Sequence, residues 1–394
     1  MIDIKDKSQC CGCEACVQRC PKQCISLIDN AEGFLYPRVD ASVCVDCGLC
    51  EKVCPVLNQS SERQPQSVFA AINPDVDTRL KSSSGGIFSA LAHAVLNQGG
   101  VVFGVCWDKD WRLVFDCAES ESDLARFRGS KYLQAHVGDA YVRAEQFLKS
   151  GRQVLFTGTA CQIAGLKKYL RRDYDNLLSV DVICHGVPSP KVWKSYLDEQ
   201  KTKIEQERGE RYEICAINFR DKSNSWKNYN FSLELKSADG KLDSFVQPSV
   251  QNIFVRGFLR DIYLRPSCYS CPAKSGKSGA DITLGDFWGI NLLKPEIDDD
   301  RGVSAICINT DRGALWFNSL SLEQYSMTYA DVCRYNSALV YSVACTPQRA
   351  KFFALYGQQP FMSLVDDLTR IPFSRRITNR IKGILYRIYK LIFR

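Results

Sequence analysis

The sequence predicts a small cysteine-dense module at the N-terminus followed by a larger mixed α/β body, and three observations carry that prediction. Ten of the twenty cysteines fall before residue 55. From Ser67 onward, apolar runs of strand length alternate with runs of helical period. Between residues 200 and 245 this gives way to period-two segments around a hairpin-like Asp239-Gly240. A chain of 394 residues has length for two or three domains and a sizeable core.

Twenty cysteines in a secreted chain would suggest disulfides, a framework typical of small proteins that cannot build a core. Here the early cysteines stand too close in sequence to pair easily, and cysteines so spaced hold metal. The run CCGCEACVQRCP places Cys10, Cys13, Cys16 and Cys20 before Pro21; CVDCGLCEKVCP places Cys44, Cys47, Cys50 and Cys54 before Pro55. Both follow C-x2-C-x2-C-x3-C-P, the bacterial ferredoxin pattern, in which the fourth cysteine of each run ligates the other cluster. Residues 1–60 are therefore expected to form a ferredoxin-type domain with two 4Fe-4S clusters. One would use Cys10, Cys13, Cys16 and Cys54, and the other Cys44, Cys47, Cys50 and Cys20. Soft thiolates suit iron, and small Gly12, Ala15 and Gly48 let backbone N–H groups approach the sulfides. Structural zinc is the competing reading, but zinc knuckles use separated CxxC pairs. Cys11 and Cys24 are spare, because Cys10 rather than Cys11 keeps the register.

Residues 58–66 (NQSSERQPQ) read as a polar linker. The body then divides into 67–150 and 151–345. In order, SVFAAI predicts a strand, IFSALAHAVLNQ a helix ending at Gly99-Gly100, and VVFGVCW a strand. A helix is expected around 138–149, then a buried strand in QVLFTG, a helix in AGLKKYLRR and a strand in LLSVDVIC. EICAINFRD and NFSLELKSADGKLDSF predict antiparallel strands, DITLGDFWGI resumes the apolar pattern, and Ser304 to Asn309 reads as a further strand.

Three places in the body carry candidate chemistry. SSSGGIFSAL is a small-residue loop opening a helix, where N–H groups and the dipole can seat a phosphate. Ser82, Ser83, Ser84, Gly85 and Gly86 are the candidates, although such a start is more often a plain N-cap. TGTACQ and DVICHGVP put Cys161 and Cys184 at strand ends, where ligand chemistry gathers in α/β sheets. RPSCYSCPAK adds Cys268 and Cys271. Those four could hold a third cubane, or be buried thiols beside a redox or zinc CxxC; spacing leaves the two readings level. A structural hydrogen bond is favoured for His185 and packing or capping for His93. Arg128 and Lys131 read as ordinary surface charges on their own. Asp286 suits a polar role near a ligand or a turn, and the remaining body cysteines read as small hydrophobes.

The ordered segments SSSGGIFSALA, FRGSKYLQ, FTGTACQIAGLK, DVICHGVPSPKVW, NFRDK, LRPSCYSC and DITLGDFWGI resemble the family of coenzyme F-420 hydrogenase/dehydrogenase beta subunits. The similarity extends from the first cysteine run to DITLGDFWGI. It implies FAD in the body, with the SSSGG loop and FRGSKY near it, so that Arg128 and Lys131 would steady the reduced flavin or its phosphates. It also implies a third 4Fe-4S cluster on Cys161, Cys184, Cys268 and Cys271. Two departures stand out: Ala160 where the family often has proline, and KSGKSGAD without the arginine often found before DITLGD. The implied activity is an oxidoreductase taking electrons from a low-potential donor such as ferredoxin through the clusters to FAD and on to a small-molecule acceptor. An electron-relay subunit or a cluster scaffold is the alternative.

Met1 to Lys7 is polar with no apolar run after it, and no stretch is apolar enough to span a bilayer, so a cytoplasmic location is expected. Residues 346–394 read as a tail. Arg375, Arg376, Arg380, Lys382, Arg387, Lys390 and Arg394 account for the whole net charge of +7, leaving a neutral body that argues against a nucleic-acid partner. Ile377, Ile381, Ile384, Leu385, Ile388 and Ile392 share one helical face. A basic amphipathic helix without acids favours an anionic membrane surface or a partner protein over its own body.

Overall fold

A computed structural model describes residues 1–370. The N-terminal module is a two-stranded antiparallel sheet, β1 (Ile25–Asp29) and β2 (Leu35–Val39), with short helices Ala15–Arg19 and Leu49–Lys52. The body contributes β3 (Ser67–Ile72), β4 (Val101–Trp107), β5 (Leu113–Ala118), β6 (Val154–Thr159) and β7 (Leu177–Val182). There follow β8 (Tyr212–Asp221), β9 (Asn230–Ser237) and β10 (Leu242–Pro248), then β11 (Ile282–Asp286), β12 (Ser304–Ile308) and β13 (Glu323–Met327).

Eight of these strands form one mixed sheet in the order β13-β3-β12-β11-β7-β6-β4-β5. Its centre, β11-β7-β6-β4, is parallel and its flanks are antiparallel. Buried runs explain the centre: Val154, Leu155 and Phe156 on β6, and Leu177 to Val180 on β7, are covered on both faces. Helix Ile87–Leu96 packs Leu91 and Val95 on one face with Leu155 and Leu178. Helices Ala140–Lys149 and Ala160–Leu170 cover Phe103, Phe156 and Leu177 on the other. β12 runs against both β3 and β11, so β3 points the same way as the parallel strands. The ends of β3, β6, β7 and β11 therefore open on one edge, the usual place for ligands in such a sheet.

The predicted strands and the hairpin are present. β9 and β10 pair as Lys236 with Leu242, and Gly240 turns the chain at φ +88°. β5, β13 and the helix Pro190–Arg208, capped by the Ser189 hydroxyl, are additions to the sequence reading. Two boundaries differ. The linker is stitched down, because Arg63 donates its N–H to Ser275 O at 3.0 Å and its Nη2 to Ala280 O at 2.7 Å. The body does not close near residue 345: helices Pro347–Leu355 and Phe361–Thr369 add Phe352, Phe361, Leu364 and Val365 to the main core. The basic amphipathic segment after residue 370 lies outside the described residues. No described helix is long and apolar enough to cross a membrane.

Candidate iron–sulfur centres and the adjoining loop cluster

Each N-terminal cysteine run turns into its helix through a left-handed residue, Glu14 at φ +62° and Gly48 at φ +69°. Three cysteines thus wrap inward at or before the helix, and the fourth leaves past its end. Each run's fourth cysteine lines a cavity with the first three of the other run. Cys10, Cys13, Cys16 and Cys54 share one, with Cys11; Cys44, Cys47, Cys50 and Cys20 share the other, with Cys24. Cys24 Sγ stands 3.4 Å from Cys20 Sγ. Backbone donors already face the sulfurs: Ile2 N–H reaches Cys50 Sγ at 3.3 Å and Asp46 N–H reaches Cys44 Sγ at 3.4 Å. Among the described residues no three of His, Cys, Asp or Glu converge on a single-ion position.

The four body cysteines come from three segments and line a single cavity. β6 leads into the helix Ala160–Leu170 through a Thr159/Gln162 capping box, placing Cys161 in its first turn. Cys184 follows β7, while Cys268 and Cys271 lie in and after the 3-10 turn Pro266–Ser270. Burial pushes the Cys184 thiol up to about 12 and Cys271 up to about 11, and raises Cys268 further. Cys161 rises because it meets the Cys11 thiol and is buried. Buried thiolates without a counter-charge are disfavoured, and a bound cation reverses that preference. Val187 N–H points at Cys268 Sγ at 3.4 Å, and Thr159 Oγ1 lies 3.3 Å from Cys161 Sγ.

Two further groups line this cavity. His185 Nε2 is 2.7 Å from Asp261 Oδ1, the structural hydrogen bond expected of it. Asp181 is 4% exposed, its Oδ1 has no hydrogen-bond partner, and burial pushes its carboxyl up to about 6. Cys11 is the member that the cysteine spacing left out: it lines the first N-terminal cavity and this one together.

On the same sheet edge, the two loops singled out in the sequence meet. Ser83 Oγ accepts from Ser130 N–H at 2.6 Å and from Ser130 Oγ at 3.0 Å. The other hydroxyls serve the chain itself: Ser82 donates to Thr78 O and Ser84 to Val303 O. Gly85 is forced by packing, since a Cβ there would stand 2.4 Å from Ala71 O; Gly86 caps helix Ile87–Leu96 at φ +85°. Arg128 donates to Ser89 Oγ at 3.1 Å and lies 3.5 Å from His93 Nε2. Lys131 turns its ammonium onto the carbonyls of Phe127, Arg128 and Gly129, and burial pulls it down to about 8.

Arg220, from the NFRDK segment, reaches the Ser83 loop instead, with its Nη2 3.4 Å from Ser83 O. It pairs with Asp286 at 3.1 Å, lies over the Tyr229 and Trp288 rings at 4.0 and 5.0 Å, and leaves its Nε unpartnered. Trp226 Nε1 also donates to Asp286, at 2.9 Å. Lys222 joins the cluster through the carbonyls of Arg79, Ser84 and Arg301. The polar role expected of Asp286 is thus to hold Arg220, and NFRDK was the signal that could have identified the arginine.

Comparison with known proteins matches both the N-terminal module and the body. Residues 9–58 match the 4Fe-4S dicluster domain. Residues 68–140 and 151–330 match the N-terminal and C-terminal families of the coenzyme F420 hydrogenase/dehydrogenase beta subunit. One subunit of the Methanosarcina mazei F(420)H(2) dehydrogenase is 27% identical over 323 residues, covering 76% of this chain and 83% of that protein. An uncharacterised protein of Methanocaldococcus jannaschii is 25% identical over 206 residues, or 44% of this chain and 56% of its own length. A solved F420-reducing [NiFe] hydrogenase complex from Methanosarcina barkeri aligns with a TM-score of 0.43 at 19% identity, covering 67% of this chain and 83% of that one. With a dicluster domain at its N-terminus and both halves of its body matched, this chain belongs to the family of coenzyme F420 hydrogenase/dehydrogenase beta subunits.

Proposed function

We propose that this protein is an oxidoreductase that accepts electrons from a low-potential carrier such as ferredoxin and delivers them to a small-molecule acceptor. It would hold three 4Fe-4S clusters and one FAD for that passage. The observation that carries the reading is the single cavity shared by Cys161, Cys184, Cys268 and Cys271, which also takes in Cys11 of the ferredoxin module. A relay needs its centres adjacent, and here two cysteine cavities have a residue in common.

The residues fit these groups. Cys10, Cys13, Cys16 and Cys54 would hold the first cluster, Cys44, Cys47, Cys50 and Cys20 the second, and the four body cysteines the third. The N–H groups of Ile2, Asp46 and Val187, aimed at Cys50, Cys44 and Cys268, stabilise negative charge on those sulfurs. The Ser82–Gly86 loop, with Arg220 and Lys222 beside it, would receive the flavin phosphates or its reduced ring. The orphaned Arg220 Nε is a buried donor in want of an acceptor. When bound, these cofactors let electrons arriving singly leave as a pair. The chain supplies the spacing, the donors and the shielding from water.

Iron, sulfide and flavin analysis with a visible spectrum of anaerobically purified protein tests the reading. About twelve irons, four per cluster, and one flavin per chain are expected. About eight irons with no flavin would leave a ferredoxin-like carrier on an α/β scaffold. A relay component with no substrate of its own is the second reading, because the Methanosarcina mazei relative is one part of a larger dehydrogenase. Reduction of a deazaflavin or another acceptor by the isolated chain would decide for the enzyme.

A further inference from the structure

Lys274, three residues after Cys271, lines the body cavity with Cys161, Cys184, Cys268 and Cys271, and among the described residues it is the only lysine or arginine that does so. It lines neither N-terminal cavity. Its half-buried ammonium donates to the carbonyl of Cys184 and to that of Ala338. The first acceptor belongs to a cysteine of the cavity, and the second to segment 336–342, whose Ala338 and Leu339 also line it. That segment is pinned around the lysine. Ser275 N–H donates to Leu339 O at 3.1 Å, Cys271 N–H to Ser342 Oγ at 2.9 Å, and Asn336 Nδ2 to Asp286 O at 2.9 Å. The ammonium is thus held from two sides by neutral carbonyls, which satisfy its N–H groups and leave its charge in place.

We infer that Lys274 is a positioning residue whose fixed charge raises the reduction potential of the third cluster and of no other. This rests on the third cluster proposed above. A cubane on four thiolates is an anion that gains a further negative charge on reduction, and its potential follows net charge, hydrogen bonding and solvent exposure. Burial works against that added charge, because an ion loses solvation in a low-dielectric site. A cation held beside the cavity favours the reduced form and keeps the cluster within reach of its neighbour. The step is the passage of one electron: the first cluster is oxidised as the third is reduced, and no proton or bond changes place. Arg265, whose Nη2 donates to Cys10 Sγ at 3.3 Å, stands at the first cluster and is untouched by a change at Lys274. Asp181 and the His185–Asp261 pair, the other polar groups at the cavity, also stay as they are, so such a change reads the ammonium alone.

The test is a potentiometric titration, followed by electron paramagnetic resonance, of the full chain and of Lys274→Gln, Lys274→Met and Lys274→Arg purified anaerobically. The third cluster's signal is the one that Cys271→Ala alters or removes. About twelve irons are expected in the parent and in the three lysine variants. Lys274→Gln, which keeps a donor without the charge, and Lys274→Met should make the third cluster about tenfold harder to reduce, or about 59 mV for one electron. The other two potentials should not move, and Lys274→Arg should stay with the parent. An unmoved third potential in Lys274→Gln would overturn the inference, as would equal shifts in all three clusters or a Lys274→Arg shifted as far as Lys274→Gln. Loss of about four irons in Lys274→Gln would also overturn it, since the lysine would then build the site rather than tune it. About eight irons in the unaltered chain would remove the third cluster itself, a failure of the proposed function recognisable before any variant is made.

Discussion

Asp181 has a carboxyl sealed into the body with one oxygen unpartnered, while Ser278, Thr283, Arg63 and Lys274 offset only part of the burial. Its value of about 6 against an ordinary 3.8 means that the folded chain holds its proton more tightly than the unfolded one. Stability from this group is therefore full below pH ~4 and is lost as pH rises through about 6. The loss is on the order of 3 kcal/mol, at 1.36 kcal/mol per unit. Asp181→Asn removes it. In urea denaturation the variant should exceed the parent clearly at pH 8, with the gap closing at pH 4; equal gaps at both would contradict the assignment. Arg220 behaves oppositely, since its charge is already paired. Arg220→Met strands the Asp286 carboxylate with only the Trp226 N–H, and losing one partner of a buried pair costs about 3–5 kcal/mol. A Tm drop of that scale, with loss of any bound flavin, is the expected result.

Elements were legible where one residue type or one period dominates. The two ferredoxin runs announce themselves because eight ligands must recur at fixed spacing, and β6 and β7 because both faces are buried. The helix Phe361–Thr369 was missed for a physical reason: its apolar residues share a stretch with the basic segment that follows, so the two read as one tail. Its Phe361 is 2% exposed and packs with Tyr196, Tyr263 and Phe352. Phe361→Ala should cost about 3–5 kcal/mol, seen as a lowered Tm, whereas a free tail would show none. Edge strand β13 is mostly exposed, with only Tyr325 and Met327 turned toward the core. Arg265 was invisible for another reason, because its partners Cys10, Gln134 and Leu35 are distant in sequence. The SSSGG loop was legible as a helix start, but Gly85 answers to β3 and β12 packing rather than to a ligand.

At the scale of the molecule, the ferredoxin module is docked and not merely tethered. Glu32 receives both guanidinium nitrogens of Arg349, and Gln18 accepts from Tyr141 N–H. Glu14, 6% exposed, takes the N–H groups of Val137 and Gly138 at 3.0 Å and lies 2.8 Å from His136 Nδ1. That carboxylate raises the His136 imidazole above its ordinary 6.5. The docking energy from this pair is thus fully present below pH 6.5 and falls as pH rises through the elevated value. His136 is partly exposed, so the effect is modest and screened by salt. Opening of the module frees the Arg63 segment, and protease cleavage within 58–66 reports how often that happens. Cleavage should be faster at pH 8 than at pH 6 in low salt. Glu14→Gln should cleave faster than the parent at both and lose the pH dependence, because the imidazolium then has no carboxylate to meet. A parent whose cleavage slows at higher pH would place the control of docking elsewhere than at Glu14 and His136. Since Cys11 and Cys13 flank the same segment as Glu14, loosening it also separates the first N-terminal cavity from the body cavity, so the contact that fixes the module fixes the spacing on which any relay between them depends.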